Sequence, residues 1–398
     1  MRHYLIGEQA WDESAPEFQG CLERAYAQKL RPLCQCKNPP VPMYIARLDG
    51  QYLVKRMPLT GGAHDGACPS YEPPYELSGL GPLIGNAIQI DAASGSSVLK
   101  LDFSLSKRGA RASAAEASQA SESVRNEAKK LSLRAVLHYL WDTGELTEWM
   151  SLWTGKRGWG RVRASLIDAA GQMNVRGEPL SNILFVPEAF HQEDKEGIAA
   201  RRAAALAGAQ ASGPGPRKLM VAVAEVKEFA AARDGQKILV RHLPFPFMIE
   251  ANAWRRLSAK YETELELWGT GDALHLIMIA TFGISDAGIA SVEEIALMVV
   301  NENWIPFESV HEQRLLEKLA SWRRKSVKGL RFNLSRDQPV VSVTLAAERP
   351  GPVAMYIVPA GAGEDYEAAL AELIKTRPEM TPWIWRIAEG DMPKLPWP

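Results

Sequence analysis

The cysteines constrain the fold of this chain most strongly, because all four lie in the first 68 of its 398 residues. They are Cys21, Cys34, Cys36 and Cys68. In a reducing compartment such clustering indicates metal binding or redox chemistry more than disulfide bonds. One residue separates Cys34 from Cys36, and Cys68 follows His64 by four positions. The spacing therefore identifies Cys34, Cys36, His64 and Cys68 as a candidate ligand set.

A predicted hairpin lies between the two halves of this set. The β-prone runs 43–47 and 51–56 flank Asp49-Gly50, a pair that favours a tight turn because both turn positions require positive φ. A second pair of β-prone runs, 87–90 and 97–103, follows. Because a hairpin brings its ends together, we expect the cysteine pair before it and the His–Cys pair after it to converge.

Three thiolates and one imidazole make a closed tetrahedral ligand set of the kind that binds structural zinc. Four candidates fill four positions, so no site is left for a catalytic water. A small β module with few core residues also needs a bound metal or another cross-link to be stable. Two alternatives stay open: Cys21 replaces His64 as the fourth ligand, or the cysteines are simply small buried side chains.

The patterning predicts an α+β protein with a zinc-stapled N-terminal β module, a central helical domain and C-terminal α/β parts. The expected segments are a zinc-binding β module at 1–103, a linker at 104–127, a helical domain at 128–195, a linker at 196–216, an α/β domain at 217–305 and a C-terminal α/β domain at 306–398. The two linkers are rich in alanine, and the second ends in a Gly/Pro stretch that breaks any helix.

The helical domain begins with an apolar stripe over 133–141 that fits one helix face. Further helices over 145–153 and 162–173 would give a three-helix arrangement of helix-turn-helix size. In the α/β parts, strands are expected at 219–226, 237–242, 245–250, 275–284, 329–334, 340–345 and 353–358, helices at 253–268, 308–322 and 366–375, and an element of unassigned type at 292–300.

Several short motifs resemble one bacterial protein family. They are the N-terminal cysteines, Arg56-Met57-Pro58, the Leu140-Trp141 helix and Trp304-Ile305-Pro306. Together they resemble the family catalogued as domain of unknown function 1173, over most of the chain. The resemblance implies a setting on plasmids and integrative elements, and it implies neither an activity nor catalytic residues.

A basic, tryptophan-containing segment indicates nucleic-acid contact. Positions 104–163 have five more basic than acidic residues, although the formal net charge of the chain is −1. The candidate contact residues are Lys156, Arg157, Trp159, Arg161 and Arg163. Cations and flexible glycines suit a phosphate backbone, and the indole could stack on a base. The alternative is an ordinary solvated loop with the tryptophan in the core.

Catalytic signatures are sparse. The sequence has no phosphate-binding GxxxxGK[ST], no HExxH and no GxSxG motif. The helix–strand–strand–strand order from position 308 is similar to a restriction-endonuclease-like core, with Glu308 or Glu312 as its helical carboxylate. That core would be degenerate, because its later strands lack the required acidic residues. The alternative nuclease site is Glu225-Val226-Lys227 at the end of an apolar strand.

We therefore expect a non-enzymatic, nucleic-acid-associated accessory protein of a bacterial mobile element, with DNA favoured over RNA as the partner. A metal-dependent nuclease using Glu225 and Lys227, or a protein-binding adaptor, are the alternatives. The longest apolar run, 276–284, is too short to cross a bilayer, and the N-terminus has no secretory signal. The expected location is the cytoplasm. The sequence leaves the oligomeric state open.

Overall fold

The computed structural model describes residues 3–48, 51–57, 59–91, 94–107, 128–210, 217–348 and 351–396. Asp49-Gly50 and most of the predicted linkers, 108–127 and 211–216, lie outside these ranges. Within them the fold is mixed α+β. None of the described helices combines the length and apolar character needed to span a bilayer.

The α-helices of the described residues are α1 (Phe18–Ala27), α2 (Leu133–Thr143), α3 (Trp159–Gly171), α4 (Lys195–Leu206), α5 (Ala251–Lys260), α6 (Glu262–Trp268), α7 (Val310–Ser321) and α8 (Glu364–Lys375). The strands are β1 (His3–Ile6), β2 (Gln9–Asp12), β3 (Leu33–Cys34), β4 (Val41–Leu48), β5 (Gln51–Arg56), β6 (Ile88–Ile90), β7 (Ser97–Leu99), β8 (Ser106–Lys107), β9 (Glu148–Trp149), β10 (Met173–Val175), β11 (Glu178–Pro179), β12 (Leu184–Phe185), β13 (Arg217–Lys218), β14 (Met220–Ala232), β15 (Gly235–Val240), β16 (Phe247–Glu250), β17 (His275–Ile284), β18 (Ala290–Val300), β19 (Ser326–Lys328), β20 (Val343–Leu345), β21 (Val353–Val358) and β22 (Thr381–Arg386).

The N-terminal sheet has the order β2-β1-β3-β4-β5, and every neighbouring pair is antiparallel. The β4–β5 pairing, with Leu48 opposite Gln51, confirms the predicted hairpin. Helix α1 contributes Phe18, Leu22 and Ala25 to a separate hydrophobic cluster under this sheet.

The β6–β7 pairing confirms the second predicted hairpin, and β10 and β11 extend it to a four-stranded sheet.

Strands β14 to β18 form a closed barrel. Their hydrogen-bonded order is β14-β15-β16-β18-β17, and β17 pairs in turn with β14. All neighbours are antiparallel except β16 and β18, which are parallel. The first half of β14 pairs with β17 and its second half with β15, with a bulge between Val226 and Glu228 where the strand changes partner. Helices α5 and α6 connect the third strand to the fourth.

The C-terminal sheet has the order β22-β21-β20-β19-β9. Strands β19, β20 and β21 form an antiparallel meander, and α8 then connects β21 to the parallel strand β22. The outer strand β9 comes from the segment predicted as a second helix over 145–153, so that prediction is wrong. The run Leu146–Trp149 is buried at every position, as in a paired strand and not as in a helix with one apolar face.

The predicted helix-turn-helix is therefore not shown. Helices α2 and α3 are separated by β9 and a short 3-10 turn at Ser151–Trp153. One continuous hydrophobic cluster joins α2, α3, the interior of the barrel and the C-terminal sheet. At its centre the fully buried Trp141 donates from Nε1 to the backbone oxygen of Trp304, at 3.1 Å.

Candidate metal centre

The N-terminal sheet positions the candidate ligands. Cys34 ends β3, in the middle of the sheet, and Cys36 lies in the turn that follows. The chain leaves β5, forms a 3-10 turn over Gly61–Ala63 and places His64 directly after it. Cys68 follows in the next turn, where its amide donates to the backbone oxygen of Asp65. The segment after the hairpin therefore returns to the end of β3, as the spacing predicts.

The four candidate ligand side chains lie close together. One ligand atom from each of Cys34, Cys36, His64 and Cys68 lies within 4.8 Å of all the others. The Cys34 and Cys68 sulfurs are 3.8 Å apart, which excludes a disulfide bond of about 2.05 Å. His64 Nδ1 lies 3.4 Å from the Cys36 sulfur and 3.8 Å from the Cys68 sulfur. This group can hold a metal ion, and all three thiols are free.

Backbone amides point at the sulfurs. The Ser70 amide donates to the Cys68 sulfur at 3.4 Å. The Cys36 amide donates to the Cys34 sulfur, and the Asp65 amide donates to the Cys36 sulfur. Such bonds favour the charged thiolate form over the neutral thiol. The turns are therefore arranged to stabilise negative charge on each sulfur.

The thiols differ in how readily they ionise. Burial raises the pKa of the Cys34 thiol to about 12, and the nearby Cys68 and Cys36 thiols add to that rise. Burial also opposes ionisation of Cys68, but hydrogen bonds from His64, Ser70 and the other cysteines bring the pKa of its thiol down to about 6. Three adjacent thiolates need a cation between them, because like charges in a buried cluster repel. The donor set therefore fits a bound metal.

Two further features fix this region. The Nε2 atom of His64 is buried without a hydrogen-bond partner among the described residues, so the Nδ1 side of the ring makes its polar contacts. A Cβ atom on Gly66 would lie 2.3 Å from the backbone oxygen of Ala346, so the metal-binding turn packs directly on the C-terminal sheet. Cys21 is buried on α1 and is not part of the ligand group, which leaves His64 as the fourth candidate.

The basic segment is only partly accessible. Trp159 is 6% exposed, donates from Nε1 to the Pro187 oxygen at 2.8 Å and packs against Trp304. The Arg157 guanidinium is half-buried and donates to the backbone oxygens of Leu146 and Glu148. These two side chains support the fold, and the indole is not free to stack on a base.

The remaining cations of the segment differ in exposure. Lys156 and Arg161 are exposed, whereas Arg163 is half-buried and donates from Nε to the Val186 oxygen at 3.1 Å. Nucleic-acid contact by this segment therefore stays a prediction, and Lys156 and Arg161 are the side chains that would carry it.

The surroundings of Glu225 and Lys227, the alternative nuclease residues, differ from those of a metal site. Glu225 is 4% exposed, and its Oε1 contacts His275 Nδ1 at 2.8 Å and Arg241 Nε at 2.7 Å. Lys227 is exposed at the bulge of β14. Among the described residues the cysteine–histidine group is the only cluster of three or more potential metal ligands, so Glu225 belongs to no such cluster. The nuclease-like core is likewise not shown.

Sequence reasoning missed one polar residue that faces a cavity. Asp142 lies on α2, and burial raises the pKa of its carboxyl to about 6, an effect that Arg56 partly opposes. The signal for it was weak, since an acidic residue directly after the apolar stripe of α2 is usually a solvated helix end. Only the tertiary structure shows that the hairpin β4–β5 closes over this position.

Comparison with known proteins identifies a family and no individual relative. No curated protein and no solved structure matches the chain. The family model described as "Protein of unknown function (DUF1173)" matches residues 4–388, which is nearly the whole chain and includes the metal centre. The resemblance drawn from the short motifs is thereby confirmed, while the association with mobile elements stays a prediction. The chain belongs to the DUF1173 family.

Proposed function

We propose that Cys34, Cys36, His64 and Cys68 bind one zinc ion that stabilises the N-terminal module. The distances between the ligand atoms carry this proposal. With Zn–S bonds of about 2.3 Å and a Zn–N bond of about 2.0 Å, a tetrahedral site has S–S edges of about 3.8 Å and S–N edges of about 3.5 Å. In the structure the Cys34–Cys68 S–S distance is 3.8 Å, the S–N distances from His64 to Cys36 and Cys68 are 3.4 and 3.8 Å, and all ligand atoms lie within 4.8 Å of one another. Four protein ligands complete the coordination, which favours a structural role.

Metal analysis of the purified protein tests this proposal. We expect about one equivalent of zinc per chain, as four protein ligands imply. Cys36→Ser should lose most of it, because a serine hydroxyl is a poor zinc ligand. Cys21→Ser is the matched control and should keep its zinc, since Cys21 lies outside the ligand group. Less than half an equivalent in the unaltered protein, unchanged by Cys36→Ser, contradicts the proposal.

A second proposal concerns the partner: we infer that the protein associates with single-stranded nucleic acid through the β14–β18 barrel. The supporting observation is the closed order β14-β15-β16-β18-β17 with a parallel third and fifth strand and a helical connection between the third and fourth. This is the topology of the OB fold, whose second and third strands form a common surface for oligonucleotides. Fold alone does not establish function, so the surface itself must be suitable.

The corresponding surface of this barrel is open and carries suitable groups. Along β15 and β16, Ile238, Val240, Phe247 and Ile249 point into the barrel and are buried. Between them Lys237 is exposed, while Leu239 and Met248 are partly exposed. Arg233 is exposed in the turn between β14 and β15. Neither Lys237 nor Arg233 has an ion-pair partner in the described part of the chain, so both cations are available to phosphate groups.

The C-terminal sheet also supports the proposed association with nucleic acid. The connectivity α7-β19-β20-β21-α8-β22, with a meander followed by a parallel strand, is the one that a restriction-endonuclease-like core requires. The positions that need acidic residues and a lysine are apolar here, such as Val341 on the approach to β20 and Ile357 on β21. A sheet of this kind without its catalytic groups fits a nucleic-acid-associated protein that is not itself a nuclease.

Binding of a labelled thymidine oligomer of about 20 nucleotides, measured by fluorescence anisotropy, tests the partner. We expect Arg233→Glu/Lys237→Glu to weaken binding about tenfold or more, because each reversal removes a phosphate contact and adds a repulsion. Lys156→Glu/Arg161→Glu is the matched control on the basic segment and should change binding less than twofold. Stronger binding of duplex, or loss only in the 156/161 variant, contradicts the assignment to the barrel.

A further inference from the structure

A cavity of about 350 Å³ lies between the hairpin β4–β5, helix α2 and the C-terminal sheet. Its volume is in the range of small-molecule sites, which is about 300–1,000 Å³. The walls come from parts of the chain far apart in sequence, since Tyr44 and Arg56 face Asp142 on one side and Arg377 on another. Its wall includes the turn Gly61–Ala63 directly before His64, so the cavity borders the metal centre, whereas no residue of β14–β18 lines it.

The cations in the wall are already neutralised by carboxylates of the same structure. The pairs are Lys55 with Asp168, Arg56 with Glu72, and Arg377 with Glu76. Lys328, also at the wall, contacts Glu312 at 3.0 Å. An anionic ligand would therefore have to compete with internal ion pairs for these positive groups, although the buried Nε of Arg377 has no hydrogen-bond partner within the described residues.

The carboxyl of Asp142, inside the wall, is in no such pair within the described part of the chain. The Asp142 carboxyl forms no side-chain hydrogen bond or ion pair within the described residues, although the nearby charge of Arg56 favours its ionised form. The side chain is half-buried and burial disfavours its charged form, so a cationic or hydrogen-bond-donating ligand would stabilise the carboxylate. The unpaired charge in the cavity is thus negative.

Aromatic and apolar side chains line the same cavity as the Asp142 carboxyl. The rings of Tyr44, Tyr75 and Tyr139 line the cavity together with Leu77, Leu80 and Ile90. Tyr44 is held in place by its hydroxyl, which donates to Gln172 Oε1 at 3.3 Å. Tyrosine faces attract both aromatic rings and cations.

We propose that this cavity binds a small cyclic or aromatic molecule with a positively charged amino or amidine group, whose cation contacts Asp142 and whose ring lies among Tyr44, Tyr75 and Tyr139. The site is independent of the zinc and nucleic-acid proposals, because its wall contains no metal ligand and none of the barrel residues assigned to the oligonucleotide.

Benzylamine and benzoate are a matched pair of probes, with the same ring and opposite charges. Binding to the full-length protein is followed by ligand-observed NMR titration. We expect benzylamine to bind and benzoate to bind at least tenfold more weakly, since the Asp142 and Glu145 carboxylates of the wall are in no ion pair, whereas the wall cations of the described residues all are. Equal binding of the two probes, stronger binding of benzoate, or no binding of either overturns the proposal.

Variants of the two wall carboxylates test whether benzylamine contacts Asp142. Asp142→Asn has the same shape and relieves a buried carboxyl, so the protein should fold and benzylamine affinity should fall at least tenfold. Glu145→Gln is the matched control, because Glu145 is an exposed carboxylate in the same wall, and affinity should stay within twofold. Unchanged affinity in Asp142→Asn, or an equal loss in Glu145→Gln, assigns the probe to another site and overturns the proposal.

Discussion

Removal of the metal is expected to unfold the N-terminal sheet while the barrel and the C-terminal sheet stay folded. The hydrophobic cluster under the N-terminal sheet has eleven buried residues, and three of them are cysteines. Two of those, Cys34 and Cys68, are also proposed ligands. The metal is therefore part of the core of this module. Structural zinc contributes about 10–16 kcal/mol in isolated zinc-finger peptides, which equals or exceeds the stability of a whole small domain.

Hydrogen–deuterium exchange with and without a chelator measures this effect. Protection of the β4–β5 amides should fall by at least two orders of magnitude, which corresponds to a loss of about 3 kcal/mol or more. Protection of β17 and β18, in the centre of the barrel, should change little. Cys34→Ser should reproduce the result without chelator. Unchanged protection of β4–β5 in protein verified to be free of metal contradicts a structural role.

Cys21→Ala provides the control for packing alone. Cys21 is buried in the same cluster as Cys34 but is not a member of the ligand group. Truncating it removes one sulfur atom from the core and should cost on the order of 1 kcal/mol. The metal content and the exchange pattern should otherwise match those of the unaltered protein. An effect as large as that of Cys34→Ser would attribute the stabilisation to packing and not to the metal.

The metal centre could be predicted from sequence because it depends on local geometry. A hairpin between residues 43 and 56 joins its own ends whatever the rest of the chain does, so the ligands on either side had to approach each other. Most strands and helices of the C-terminal half were also predictable, since their apolar runs are long and bounded by turn residues. For example, the predicted strand at 275–284 is β17 in full.

The closure of the barrel could not be predicted from the apolar runs in the sequence. It depends on β14 pairing with β15 over one half and with β17 over the other, and the change of partner occurs at a bulge beside Lys227. Nothing in the local sequence distinguishes a strand with two partners from a strand with one. Pairing across about fifty residues is decided by the packing of the whole barrel, as between Val226 and Leu276.

The role of Trp159 was ambiguous for a related reason. A tryptophan among glycines and arginines fits an exposed stacking platform, and it equally fits a core anchor at the start of a helix. The choice depends on Trp304 and Pro187, which lie 145 and 28 residues away in the sequence and complete its pocket. Amphipathic side chains of this kind satisfy both environments, so composition alone cannot assign them.

Replacement of Lys328 is expected to destabilise the C-terminal sheet severely. Lys328 and Glu312 form an ion pair at 3.0 Å with side chains only 3% and 7% exposed. The Lys328 ammonium also donates to the Gly329 oxygen at 2.6 Å, and Glu312 Oε2 accepts from the Glu308 amide at 2.8 Å. In Lys328→Met the Glu312 carboxylate stays buried without its cation. Breaking such a pair costs about 3–5 kcal/mol, or on the order of 10 °C in the melting temperature.

A double-mutant cycle separates the charge from the packing. Glu312→Gln removes the negative charge but keeps an oxygen for the Glu308 amide, so Lys328→Met/Glu312→Gln leaves no unpaired ion in the sheet. Because removing both members of a buried pair is often close to neutral, the double variant should recover most of the stability lost in Lys328→Met. Thermal and urea unfolding of the four proteins give the coupling free energy. Additive losses would show that Lys328 stabilises the sheet through its aliphatic stem, and that the buried ion pair contributes little of the stability attributed to it.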